Sequence, residues 1–434
     1  MSSYIIEGGK SLKGSIVVNP SKNSAVVILI ASLLNSGKTL IKNLPKIEEV
    51  YRIIEVLESI GVNTQWQGGH SLEIIPPKKF TLHKIDVEAA AKTRSIILFI
   101  GVLMHKLRKF DLPNQGGCKL GKRTITPHLY ALENFGIKIK TFANRMKIEG
   151  GGERKNDKIV MYESGDTATE NTIMAASLTH GKTIIKFASA NYQVQDLCYF
   201  LKKLGVRIDG IGTTTLVIYG KSKISKKISY YLTEDPIETM FFLSLAVVTK
   251  SSLIIKRCPI DFLELELLKL EKMGFKFKIL KKYKARNGYG NLVDLKTFPS
   301  ALVAPTDKLY GRPFPGLNID NLPFFVPIAT QAKGETMIHD WVFENRAVYF
   351  TELNRLGANI RIADVHRVFI KGPTKLKGTE LVCPPALRPS ASILAAMLGA
   401  KGKSVLKNTY AIERGYEKLE ERLGALGAKI KRVK

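Results

Sequence analysis

Residues 181–206 read GKTIIKFASANYQVQDLCYFLKKLGV. Gly181-Lys182-Thr183-Ile184-Ile185 has the pattern of a short strand; a loop and an amphipathic helix follow. Lys203-Leu204-Gly205-Val206 then turns the chain into another strand, with glycine as the left-handed helix terminator. The unit recurs from Gly37-Lys38-Thr39-Leu40-Ile41 to Ile60-Gly61-Val62, and from Ser251-Ser252-Leu253-Ile254 to Met273-Gly274-Phe275. It recurs again from Gly334-Glu335-Thr336-Met337-Ile338 to Leu356-Gly357-Ala358, and from Gly402-Lys403-Ser404-Val405-Leu406 to Leu426-Gly427-Ala428. A further copy, second in the chain, is degenerate at its start and ends Phe135-Gly136-Ile137. Spacing supports the helices: Val50, Ile53, Ile54, Leu57 and Ile60 share one face in the first copy, and Tyr416, Leu419, Leu423 and Leu426 in the last. Alternation supports the strands, as in Ala428-Lys429-Ile430-Lys431-Arg432-Val433.

A period of roughly 70 residues is longer than that of common solenoids. Each unit can hold a βαβ-type fold with extra strands, so six are expected to assemble into compact α/β domains. The third copy closes through 206–228, which places a boundary near 230–233. The expected domains are 1–21 with 232–434, and 22–231, each with three repeats.

The chain has 434 residues, 45% of them hydrophobic, enough for two or more domains with real cores. No apolar run is long enough to span a bilayer, and Met1-Ser2-Ser3-Tyr4 lacks the form of a signal peptide. Cys118, Cys198, Cys258 and Cys383 form no CxxC pair and no disulfide framework, which fits a reducing cytoplasm. The seven histidines show no HxH or HExxH spacing, so no dedicated metal site is expected. No other cofactor is expected either. A net charge of +29 suits an anionic substrate. The lysines are dispersed, with no zinc-finger spacing or aromatic nucleic-acid motif, so no specific nucleic-acid partner is expected.

One loop concentrates chemistry. Residues 112–123, LPNQGGCKLGKR, set Cys118 among glycines and beside Lys119, Lys122 and Arg123. Glycines allow close backbone approach to a ligand. The cations attract phosphate or carboxylate and favour a thiolate.

With these features the chain resembles the enolpyruvyl transferases. Ser21-Lys22-Asn23-Ser24-Ala25 is similar to the family's S-K-N signature, and Lys92-Thr93-Arg94-Ser95-Ile96 to its K-T/M-R-A-S segment. Gly116-Gly117-Cys118-Lys119-Leu120-Gly121-Lys122-Arg123 is similar to the G-G-C-x-I-G-x-R loop, and Pro313-Phe314-Pro315-Gly316-Leu317-Asn318-Ile319-Asp320 to P-Y-P-G-F-P-T-D. Val342-Phe343-Glu344-Asn345-Arg346 and Glu413-Arg414-Gly415-Tyr416-Glu417 complete the set, which spans essentially the whole chain. The resemblance implies a two-domain inside-out α/β barrel of six units, with an active site shared by the two domains.

It also implies a reaction: the enolpyruvyl group of phosphoenolpyruvate passes to the 3-hydroxyl of UDP-N-acetylglucosamine, releasing phosphate, in peptidoglycan precursor synthesis. Lys22, Arg123 and Arg414 would clamp phosphoenolpyruvate, whose phosphate and carboxylate need fixed cations. Cys118 would protonate carbon 3 as carbon 2 becomes electrophilic, and Asp320 would take the proton of the attacking hydroxyl. Arg94, Arg346 and Arg388 would steady phosphate charge, and Asn23 would contact substrate beside Lys22. Taken singly, Lys22 and Arg414 read as surface cations, Asp320 as a helix cap and Arg346 as a structural ion-pair partner. The partners implied are phosphoenolpyruvate and a sugar nucleotide, with no membrane; the oligomeric state is left open.

The departures from the family gather where the UDP-sugar would lie. Arg123-Thr124-Ile125-Thr126-Pro127-His128 stands in place of R-P-V-D-L-H, and Gly165-Asp166-Thr167-Ala168-Thr169 in place of S-V-G-A-T. Asp166 and Glu163 bring negative charge toward the place of the diphosphate. Ala386 replaces an acidic residue, and Leu322 and Phe324 replace polar ones. Two alternatives therefore stand beside the main reading. One is another nucleotide or sugar acceptor; the other is a non-catalytic, anion- or nucleic-acid-binding descendant.

Overall fold

The computed structural model describes residues 2–114, 116, 124–151 and 156–433. Cys118 and Arg123 lie outside the described residues, as do Lys119 and Lys122. The chain forms two compact units. The inserted unit takes residues from Pro20 to Thr233; the terminal unit joins 2–19 to 234–433.

The inserted unit carries three sheets, each built around an antiparallel pair. One has the order 228–231, 39–42, 71–75, 63–66; another 109–113, 145–150, 137–141; the third 207–209, 215–220, 181–186, 158–160. The strand at 228–231 runs parallel to 39–42, so the end of this unit closes on its beginning. Its central helices are α1 (Lys22–Ala31), α2 (Asp166–Ser177) and α3 (Tyr192–Leu204). From Ser24 onward α1 is buried on every side. An all-round apolar helix has no solvent face to offer, so it forms the middle of a core rather than its rim.

The terminal unit repeats the plan with sheets in the orders 380–382, 402–407, 3–8, 429–433; 276–284, 291–298, 252–259, 13–17; and 302–303, 332–339, 367–372, 359–362. Both N-terminal strands therefore belong with the C-terminal half of the chain. Its central helices, α4 (Pro236–Val248) and α5 (Leu387–Gly399), pack on each other and are almost wholly buried. Among the described residues no sheet closes into a barrel. No helix of the described residues is long and apolar enough to cross a membrane.

The six glycines that end the repeats, Gly61, Gly136, Gly205, Gly274, Gly357 and Gly427, all take positive φ, between 74° and 94°. Two helices differ from the expected form. The segment Ala347–Leu356 is a 3₁₀ helix. In the last copy the helix begins only at Leu419, because Lys418 sits at φ 44° and breaks it from Tyr416. Tyr416 is instead fixed beside Arg388.

Candidate functional site

In the inserted unit the chemistry gathers at the start of α1. The Ser21 side chain accepts from Ser24 N–H and caps the helix, which puts Lys22 and Asn23 in its first turn. A helix N-terminus carries partial positive charge, so a lysine there is electrostatically uphill and an anion is welcome. The first turn itself holds no acidic residue. Asn23 Nδ2 donates to the Tyr192 hydroxyl at 3.1 Å and to Gln193 Oε1 at 3.0 Å, both from α3. Gln193 Nε2 donates to Glu170 Oε1 at 3.0 Å. Burial, and next the Asp166 charge, push the Glu170 carboxyl up to about 8; the Gln193 hydrogen bond and then the Lys22 charge oppose the shift.

Asp166 opens α2. Its Oδ1 accepts from Ser189 Oγ at 2.5 Å and its Oδ2 from Asn191 Nδ2 at 2.9 Å. The anion that the sequence sets near the expected diphosphate position is thus tied to two donors of its own unit. Glu163 is exposed. Arg94 is half-buried just ahead of the 3₁₀ turn Ser95–Leu98. His128, buried against Thr167 and Asn171, is held at about 3 by burial and, secondarily, by the Arg94 charge. Thr126 N–H donates to Thr124 Oγ1 at 3.1 Å, forming a local turn just after the cysteine loop. On the other side of the loop, Gly116 has no room for a side chain: a Cβ there would lie 1.5 Å from the Ala91 carbonyl oxygen.

In the terminal unit Asp320 lies between two guanidinium groups. Arg346 Nη1 is 3.7 Å from its Oδ1, and Arg388 Nε is 3.6 Å from its Oδ2. Asn318 Oδ1 accepts from Asp320 N–H at 2.9 Å, and Glu266 Oε1 accepts from Asn318 N–H and from Asn321 Nδ2. This holds the turn that carries the aspartate. Arg346 is 1% exposed; it pairs with buried Asp340, donates to Ile319 O at 2.7 Å and lies over the Phe343 ring. Its place is underneath Asp320. Arg388, in the first turn of α5, donates to the Tyr416 hydroxyl at 3.4 Å. Asp235 caps α4 through Ile237 N–H; burial pushes its carboxyl up to about 6, a shift the Arg388 charge opposes. Arg414 is half-buried at the end of the short helix Tyr410–Glu413.

Leu322 and Phe324 require a correction. Both are fully buried, and Phe324 meets the Phe241 ring of α4 edge-on. They are core residues and line no acceptor surface. Sequence reading also missed Asp340, Glu266, Glu170 and Gln193. Asp340 stands only two residues before the quoted Val342–Arg346 motif; the other three are marked by no spacing.

Arg346→Met is expected to destabilise the chain by about 3–5 kcal/mol, because it leaves the Asp340 carboxylate buried without its partner. Urea unfolding measures this, and Asp340→Asn in the same background should restore part of the loss.

The model of the family described as EPSP synthase (3-phosphoshikimate 1-carboxyvinyltransferase) matches residues 6–423. A protein of Bradyrhizobium diazoefficiens named UDP-N-acetylglucosamine 1-carboxyvinyltransferase is 33% identical, over 99% of this chain and 98% of its own length. One of the same name from Lawsonia intracellularis is 35% identical over the full length of both. The crystal structure of the enolpyruvyl transferase NikO from Streptomyces tendae superposes with a TM-score of 0.86 at 22% identity, covering 100% of this chain and 99% of that one. The chain belongs to the EPSP synthase family of enolpyruvyl transferases.

Proposed function

We propose that this enzyme transfers the enolpyruvyl group of phosphoenolpyruvate to the 3-hydroxyl of UDP-N-acetylglucosamine and releases phosphate. The observation that carries the reading is full-length identity of about a third to relatives bearing that activity in their names. The six sheets would be copies of one unit, three in 1–21 with 232–434 and three in 22–231, in the inside-out plan. Peptidoglycan precursor synthesis and a cytoplasmic location follow from the same reading.

Each residue has a task. Cys118 gives a proton to carbon 3 of phosphoenolpyruvate, and the cation left at carbon 2 is attacked by the acceptor oxygen. Asp320 takes the hydroxyl proton. Loss of a proton from carbon 3 then expels phosphate and restores the double bond. Lys22, Arg123 and Arg414 hold the anionic oxygens, and Arg94 and Arg388 receive charge on the departing phosphate. Arg346, buried beneath Asp320, serves by positioning it. The test is product analysis: mass spectrometry and NMR of the reaction mixture should show an enol ether on the sugar 3-oxygen. Turnover only with a different acceptor would refute the assignment.

A second reading, an acceptor without a diphosphate, is favoured by Asp166 at the start of α2. Asp166→Asn keeps an oxygen for Ser189 or Asn191 and removes the charge. Calorimetric titration should then show UDP-N-acetylglucosamine binding at least about fivefold tighter, since one like charge at 4 Å costs about 1 kcal/mol even in water. Unchanged affinity would show that Asp166 does not face the ligand's charge.

A further inference from the structure

The functional reading uses Lys22, and the family resemblance gives Asn23 a substrate contact, but neither gives a task to Glu170. This carboxyl is 1% exposed on α2 and reaches Asn23 through one intermediary. Gln193 Nε2 donates to Glu170 Oε1, Gln193 Oε1 accepts from Asn23 Nδ2, and Asn23 Nδ2 also donates to the Tyr192 hydroxyl. A side-chain amide has donors at one end and an acceptor at the other. An acceptor oxygen at Glu170 therefore turns the Gln193 amino group inward. That leaves the Gln193 carbonyl for Asn23, which must answer with its own amino group. Both Asn23 N–H bonds are then used inside the protein, and what the residue can offer a ligand is its carbonyl oxygen. The tyrosine hydroxyl can donate or accept, so it does not choose the orientation; Glu170 does.

We propose that Glu170 is a positioning residue which, through Gln193, holds Asn23 as a hydrogen-bond acceptor toward the substrate. This rests on the reading above that Asn23 contacts substrate. A carbonyl oxygen repels phosphate and carboxylate oxygens and pairs with O–H or N–H. Asn23 so oriented serves a hydroxyl or amide group of the acceptor, not phosphoenolpyruvate.

The charged groups acting on Glu170 are Asp166, one turn earlier on α2, and Lys22 on α1; the Cys198 thiol on α3 feels it in turn. His128 and His105 meet α2 at other stations, Thr167 with Asn171 and Met174, and burial lowers the pKa of each. Burial, and next the Asp166 charge, push the Glu170 carboxyl up, and the atom that faces Gln193 is its Oε1, which accepts from Gln193 Nε2 at 3.0 Å. Glutamine reproduces that oxygen; methionine fills the same space without it.

The experiment uses the full chain with Glu170→Met, Glu170→Gln, Asn23→Ala and the Met/Ala double variant. Glu170→Met should raise KM for the acceptor about tenfold and leave KM for phosphoenolpyruvate within about twofold, the scale of one hydrogen bond. Glu170→Gln should stay within about threefold of wild type. In the Asn23→Ala background, Glu170→Met should add less than about twofold, because the two act as one. Independently of turnover, the Asn23 side-chain NH₂ is identified as the ¹⁵N-linked pair missing from Asn23→Ala. Its protons should exchange with water about tenfold faster in Glu170→Met than in wild type. Unchanged exchange, or a Glu170→Gln as damaged as Glu170→Met, overturns the relay. Exchange that responds while Asn23→Ala keeps wild-type kinetics confirms the relay but overturns its substrate role, and with it the reading of Asn23 as a substrate contact.

Discussion

Fosfomycin, an epoxide phosphonate that mimics phosphoenolpyruvate, is expected to add once to this protein, at Cys118. The phosphonate seeks fixed cations, and Lys119, Lys122 and Arg123 flank that cysteine in sequence. The epoxide needs a thiolate. The other three cysteines cannot compete. Cys198, Cys258 and Cys383 are buried, and burial raises each thiol, to about 12 for Cys198 and Cys383. Peptide mass spectrometry reads the site, and labelling spread over all four would refute it. Cys118→Ser should lose about 10²- to 10⁴-fold in turnover, the usual worth of a positioned proton donor. Cys118→Asp should retain part of the activity, because a carboxyl group also donates protons. Gly116→Ala should slow labelling too, since its Cβ would collide with the Ala91 carbonyl at the base of the loop.

The anion clamp predicts the second large effect. Lys22→Ala, Arg123→Ala and Arg414→Ala should each reduce kcat/KM for phosphoenolpyruvate roughly 10- to 150-fold, the equivalent of about 1.5–3 kcal/mol for a lost charged hydrogen bond. Lys22→Ala should do so without unfolding the protein, because the Ser21 cap and the buried body of α1 stay intact. Arg123→Lys should also be poorly tolerated, since a point charge does not replace a planar fork. Steady-state kinetics checks all four. Unchanged values in the three alanine variants would remove these residues from the clamp.

Local rules were the legible part of this fold. A residue that must turn left at a helix end is glycine for steric reasons that act within a few atoms, and all six repeat-end glycines show positive φ. Strand alternation and the apolar face of the repeat helices are likewise properties of short segments, whereas the buried helices α1, α2, α4 and α5 carry no such periodic signal and were not read from the sequence. Long-range pairing was not legible. Nothing near Asp166 announces Ser189 and Asn191 as its partners, and Leu322 and Phe324 read as substitutions at a ligand surface although they pack in a core. The break at Lys418 was hidden for a related reason: spacing alone gives Tyr416 to the helix, while its place beside Arg388 is a tertiary fact. In the candidate site, motif reading named Asp320, Arg346 and Arg388 but not Asp340. The acid that anchors Arg346 has no motif of its own.

The most direct test of the central claim is phosphate release from phosphoenolpyruvate by the purified protein, with and without UDP-N-acetylglucosamine, beside a panel of other nucleotides and sugars. The account predicts release that requires UDP-N-acetylglucosamine, matches the enol ether formed mole for mole, and vanishes in Cys118→Ser. Release that ignores UDP-N-acetylglucosamine and follows another acceptor, or no release with any acceptor, would contradict it.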